Sequence, residues 1–191
     1  PEFLRYYYAA KLTEGMDDID LSLEDFTNKI NSDVLGKVIN IASRLGSVLH
    51  KRCGGRLTTI PTEAEEMLAA IREKQAIIAE SYETLHFQRA MKEIMHGADL
   101  ANKFIDATAP WSVAKEDPDH AAALCTAGLN ACRLLIIYLK FSIIFNIKLS
   151  IYLMSKKGMK AVEEAIEQGL DLDGTPIPLK MLELYNEIME K

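Results

Sequence analysis

KVINIASRLGSVLHKR, residues 37–52, is the stretch that decides how the chain folds. Val38, Ile41, Ala42, Leu45, Val48 and Leu49 recur at intervals of three and four, the period of one helix face. Lys37, Asn40, Arg44, Ser47 and Lys51 step by the same intervals on the opposite face. The pattern predicts a rigid amphipathic helix, apolar toward a core, that displays an amide between two cations and a third cation farther along. Ser22 is a plausible N-cap, with Glu24 and Asp25 in the first turn, so the helix should begin near residue 23. Gly54-Gly55 should stop it near residue 52.

Outward from this helix the punctuation is equally helical. Residues 1–12 are aromatic and helix-compatible, and Gly15 with Asp17, Asp18 and Asp20 makes a loop. Beyond a loop carrying Pro61, Thr62 and Glu65 read as a capping box for a helix that runs to about 80. Another helix is expected over roughly 83–107, a short helical turn at Pro110-Trp111, and a further helix over 118–140. Five helices with short connections predict an all-α fold, an antiparallel helical bundle over residues 1–140. Residues 141–191 read as an atypical helical tail. FSIIFNIKLSIYLM (141–154) is rich in Ile, Phe and Ser, and 155–191 suggests a helix, a Gly-Thr-Pro turn and another helix. Met154 even reads as the start of a separate small protein. The apolar run from Leu134 to Met154 is long enough to raise a membrane span. Lys140, Asn146 and Lys148 interrupt it, so a buried or extended helical segment is expected, and no membrane partner.

Composition agrees. Of 191 residues, 49% are hydrophobic, enough for one domain with a core, and there are only 10 Gly and 6 Pro. The net charge of -6 gives no general reason to expect nucleic-acid binding. Local charge does. Between Val34 and Thr62 stand Lys37, Arg44, Lys51, Arg52 and Arg56, with no Asp or Glu. Cys53, Cys125 and Cys132 are odd in number and form no CxxC pair, which suits reduced thiols in a cytoplasmic protein. No signal peptide or presequence opens the chain. It starts at Pro1, mid-pattern, as a piece of a longer or processed chain would.

The chemistry of the polar stripe suits RNA. Arg offers a planar donor fork for phosphates or base edges, and Asn offers donor and acceptor to a base edge. Trp111 follows Pro110, whose ring fixes the local backbone, so its indole can offer a flat face to an unstacked base. Each feature has a plainer reading, a solvated helix face for the stripe and a partly buried core residue for Trp111. His50, His86, His96 and His120 lack metal-ligand spacing and read as surface or boundary residues, so no metal site is expected.

Four segments taken together carry a family resemblance: PEFLRYYYAAKL (1–12), DDIDLSLEDF (17–26), KVINIASR (37–44) and ADLANKFIDATAPWSVAK (98–115). In this order and at these intervals they resemble methionyl-tRNA synthetases over residues 1–140, in the helical anticodon-binding domain that follows the catalytic Rossmann domain of that class I family. The resemblance implies a protein-biosynthesis role. In it Asn40 and Arg44 read the CAU anticodon of the tRNA for methionine and Trp111, after Pro110, stacks on an anticodon base. Lys37, Lys51 and Arg52 are expected to meet phosphates. No HIGH-like sequence occurs, and Met154-Ser155-Lys156-Lys157, superficially similar to KMSKS, falls on the wrong side of the bundle. No catalytic residue and no cofactor is therefore expected here. ATP and methionine would bind a catalytic domain of the same enzyme, itself an expected partner. The resemblance ends after Lys140. The alternative is a truncated relative serving as a helical protein-interaction scaffold.

Overall fold

A long helical rod and a central helix organise the fold. The computed structural model describes residues 2–13 and 21–140. α1 (Glu2–Lys11) is followed by α2 (Leu23–Lys29), which passes without a break into a π-helical segment (Ile30–Ile39) and then α3 (Asn40–Arg52). A 3-10 turn (Thr62–Ala64) leads into α4 (Glu65–Glu83). Then come α5 (Phe87–Thr108), the single turn α6 (Pro110–Val113) and α7 (Pro118–Lys140). No strand occurs among the described residues, and the expected all-α bundle is what forms. The expected loop around Gly15, the apolar segment 141–154 and the helices expected in 155–191 lie outside the described residues.

After its exposed first turn α7 is buried on every face, with Leu124, Cys125, Thr126, Ala127 and Gly128 all buried in succession. A helix apolar all round is either a core helix or a membrane span. α7 has the length and apolarity of a span, but 89% of the qualifying window is buried within the protein. The α7 part of the Leu134–Met154 run is thus packed as expected, up to Lys140. Small residues let its neighbours approach. A Cβ at Gly128 would overlap Leu45 of α3 and lie 3.3 Å from Ile105 of α5. A Cβ at Gly97 of α5 would lie 3.1 Å from Leu135 of α7. These contacts run α7 antiparallel to both α3 and α5, which therefore lie parallel to each other, while α4 returns antiparallel to α5.

The rod from 23 to 52 forms with the caps foreseen. The Ser22 hydroxyl accepts from the Asp25 N–H at 3.3 Å. Gly54 and Gly55 adopt φ of +70° and +72°, and the Gly55 N–H donates back to the Leu49 carbonyl at 2.9 Å. Its middle departs from the expected period, because residues 30–39 are wound as a π-helix. The Asn40 N–H donates to Leu35, five residues back. Gly36 makes the wider winding possible: a Cβ there would stand 2.9 Å from the Asn31 carbonyl oxygen. Where the rod returns to α-helix, two carbonyls bond to other helices. The Asn102 amide of α5 donates to Lys37 O at 2.9 Å, and the Cys132 thiol of α7 to Val38 O at 3.5 Å.

Two other expectations need correction. The capping box at Thr62 and Glu65 does not form. The backbone winds a 3-10 turn instead, in which the Ala64 N–H is satisfied by the Pro61 carbonyl at 3.0 Å, and no side chain caps α4. Between α4 and α5 the chain breaks at Leu85, which has φ of +62° without being a glycine, so no residue type announced the turn.

α1 is tied to the rod by a buried polar cluster. The Tyr6 hydroxyl, on a fully buried ring, donates to Asp33 at 2.6 Å, and Lys29 pairs with the same carboxylate at 2.9 Å. Burial alone would raise the Asp33 pKa, but the bonds from Lys29, Tyr6 and Ser32 outweigh it and hold it below the usual value.

Two predictions follow from these contacts. In an ordinary helix interior Gly→Ala stabilises by about 1 kcal/mol. Gly36→Ala should instead lower the urea midpoint, because the new Cβ meets a backbone oxygen; a raised midpoint would show that the π winding tolerates a side chain. Because the folded-state pKa of Asp33 is depressed, its contribution to stability is present above about pH 4 and is lost as pH falls through the folded value. Asp33→Asn should therefore weaken the acid dependence of unfolding below about pH 4, measured by denaturant titration at several pH values.

Candidate nucleic-acid interface

The polar stripe is built as its spacing requires. Val38, Ile41, Ala42, Leu45 and Leu49 are buried, whereas Asn40 and Lys51 are exposed and Lys37, Arg44 and Ser47 are half-exposed. The stripe does not stand alone, however. α5 lies alongside and supplies acids at the same seven-residue interval. Lys37 Nζ pairs with Asp99 at 2.7 Å and Arg44 Nη2 with Asp106 at 2.8 Å. The window 34–62 is free of acid in sequence but not in space. Lys51 makes no ion pair among the described residues.

Trp111 joins this face. Ala109 adopts the left-handed conformation (φ +43°), and Pro110 then occupies the first turn of α6 with its ring buried. Pro110 sets the backbone of its neighbour. The half-buried Trp111 packs against the edge of the core, and the Arg44 guanidinium sits over its ring, 4.5 Å from the centroid. Arg52 donates to the Trp111 carbonyl at 3.0 Å, so one of its N–H groups holds the turn. Asn40, Arg44, Trp111 and Arg52 thus share a single surface. The planar Arg44 is fixed from the side by Asp106 and from below by the indole.

Burial pushes the Cys125 and Cys132 thiols up to about 12, so neither is a nucleophile near neutral pH. No group of three metal-ligating side chains occurs among the described residues. The histidines are exposed or half-buried, as expected.

A family model described as the anticodon binding domain of methionyl tRNA ligase matches residues 56–157, more than half of the chain. The chain belongs to that family. A second model, class I tRNA synthetases (M), matches residues 1–46 and contains Asn40 and Arg44, whereas Trp111 falls within the anticodon-binding model. A model described only as a protein of unknown function matches residues 158–191. Among solved structures, the free form of Mycobacterium tuberculosis methionyl-tRNA synthetase is similar at a TM-score of 0.72 and 18% identity, over 93% of this chain and 37% of that one. The same synthetase with methionyl-adenylate gives 0.71 and 17%, over 95% and 37%. At such identity the likeness shows the fold. The chain spans 37% of the length of these synthetases.

Within the domain, Asp99, Asp106 and Asn102 were not singled out from sequence. The available signal was the spacing of Asp99 and Asp106, which repeats that of Lys37 and Arg44. Seven residues are nearly two turns, about 10 Å on either helix, so parallel helices bring both pairs into register. The exposed Arg44–Asp106 pair contributes little to folding, and the cation–π contact adds about 0.5–1 kcal/mol. Arg44→Ala should therefore lower stability by no more than about 1–2 kcal/mol. It should also shift the emission of Trp111, the single tryptophan, to the red as water reaches the ring. Unchanged emission would mean that Arg44 does not cover the indole in solution.

Proposed function

We propose that this domain binds the anticodon loop of the tRNA for methionine and prefers the CAU anticodon, with Asn40 and Arg44 reading base edges and Trp111 supplying the stacking platform. The observation that carries the reading is the Arg44–Trp111 cation–π contact with the exposed Asn40 one turn away on the same helix face. A guanidinium 4.5 Å from an indole centroid sets two flat groups side by side at the place where an unpaired base can stack. Membership in the anticodon-binding family and the exposed Lys51 and Arg52 at the end of α3 support the same reading.

The roles separate by position. Lys51 and Arg52, at the end of α3, meet phosphates and contribute salt-dependent affinity without loop preference. Lys37 must leave Asp99 before it can meet a phosphate, so its replacement costs less than that of Lys51. Asp99 and Asp106 oppose any RNA that cannot offer Lys37 and Arg44 better partners. In this reading the protein acts in the cytoplasm in protein biosynthesis. Its partners are the tRNA for methionine and a catalytic domain that handles ATP and methionine, so the domain itself takes no cofactor.

Fluorescence anisotropy with labelled stem-loops tests this. The wild-type chain should bind a CAU stem-loop more tightly than one with a permuted loop. Trp111→Ala should weaken CAU binding by about 1–3 kcal/mol. Lys51→Ala should weaken both RNAs equally and lower the log–log salt slope by about one. Equal binding of both loops by the wild-type chain sinks the proposal, and failure to bind either favours the helical scaffold.

A further inference from the structure

Beside the Asn40–Arg44 face, α1, the rod and α5 enclose a cleft of about 550 Å³. One wall carries Lys29, Asp33 and Lys37 at four-residue steps along the rod. The other carries Lys92, His96 and Asp99 along α5, with buried Tyr6 beneath. Both carboxylates are committed, Asp33 to Lys29 at 2.9 Å and Asp99 to Lys37 at 2.7 Å. Lys92 and His96 have no hydrogen-bond or ion-pair partner among the described residues. Glu93, the acid next to Lys92 in the chain, pairs with Lys74 at 2.7 Å. Among the described residues the cleft is therefore left with one ammonium that has no ion-pair partner, and one turn along the same helix stands an imidazole, which carries at least one N–H donor in every protonation state.

We propose that this cleft is a phosphodiester site: Lys92 and His96 grip one backbone phosphate of the RNA strand that leads away from the anticodon loop. The inference rests on the anticodon reading for its RNA, but not for its anion. A phosphodiester carries a single charge, which Lys92 matches. A polyphosphate would bring further charges against Asp33 and Asp99. The site is also continuous with the loop-binding face. The Lys37–Asp99 pair lines the cleft and stands seven residues along both helices from the Arg44–Asp106 pair. Asp99 is seven residues, about 10 Å, from Asp106 along α5, a distance that a few nucleotides span. An ammonium and an N–H donor at a concave surface position a backbone without reading sequence.

The test compares two CAU stem-loops with identical loops, one with a short stem and one with a long stem, at several salt concentrations. The wild-type chain should bind the long stem more tightly. Lys92→Ala combined with His96→Gln should remove that gain, about fivefold, and lower the long-stem salt slope by about one. Preference for CAU over a permuted loop should persist. Lys103→Ala, which removes an exposed lysine of α5 outside the cleft, should do neither. If the double variant behaves as Lys103→Ala does, the cleft holds no RNA phosphate and the proposal falls, with the anticodon reading intact. If the wild-type chain shows no loop preference, the anticodon reading falls instead. The anion site is then judged by titrating the chain with inorganic phosphate and following the His96 ring protons by NMR. A saturable shift lost in Lys92→Ala upholds the site, and no shift overturns it.

Discussion

The burial of α7 on all sides is the constraint from which the remaining geometry follows. A helix buried from Ala121 onward on nearly every side must be surrounded, and α3, α4, α5 and α6 surround it. Gly128 brings α3 and α5 against the same point of α7, which sets those two helices side by side and parallel. Lys37 then meets Asp99, Arg44 meets Asp106, and the turn that ends α5 delivers Trp111 beneath Arg44. The proposed recognition face is thus a by-product of how closely α3 and α5 approach Gly128 of α7.

The π-helical winding refines that placement. Ten residues of wider helix shift the angular position of everything downstream relative to an α-helix of equal length, and Asn40 is the first residue after it. The rod is pinned there by two foreign side chains on the Lys37 and Val38 carbonyls, one from α5 and one from α7. The Tyr6–Asp33–Lys29 cluster fixes its earlier part to α1. π-Helical turns occur often beside functional sites, and here one adjoins the proposed reading residues.

The helices were legible because their signals are local. Ser22, Gly54-Gly55, Pro110 and Pro118 bound their elements where side-chain chemistry requires, and the apolar period of residues 38–49 named the buried face. The failures were also local in kind. A leucine and an alanine in the left-handed region have no sequence signature, and a π-helix has nearly the same apolar pattern as an α-helix over ten residues. For the interface, Asn40, Arg44 and Trp111 could be picked out by residue type and spacing, but their meeting could not, because 67 positions of chain separate Arg44 from Trp111. The acid-free look of residues 34–62 misled for the same reason. Charge balance at a helix surface is set by the neighbouring helix, and Asp99 and Asp106 are remote in sequence.

The central claim is that Trp111 is the platform on which an anticodon base stacks, and its own emission tests it most directly because no other tryptophan contributes. Titration of the full chain with unlabelled CAU stem-loop should quench Trp111 fluorescence saturably, and a permuted loop at the same concentrations should leave it nearly unchanged. Binding of the CAU stem-loop without any change in Trp111 emission, or equal quenching by both loops, would contradict the account.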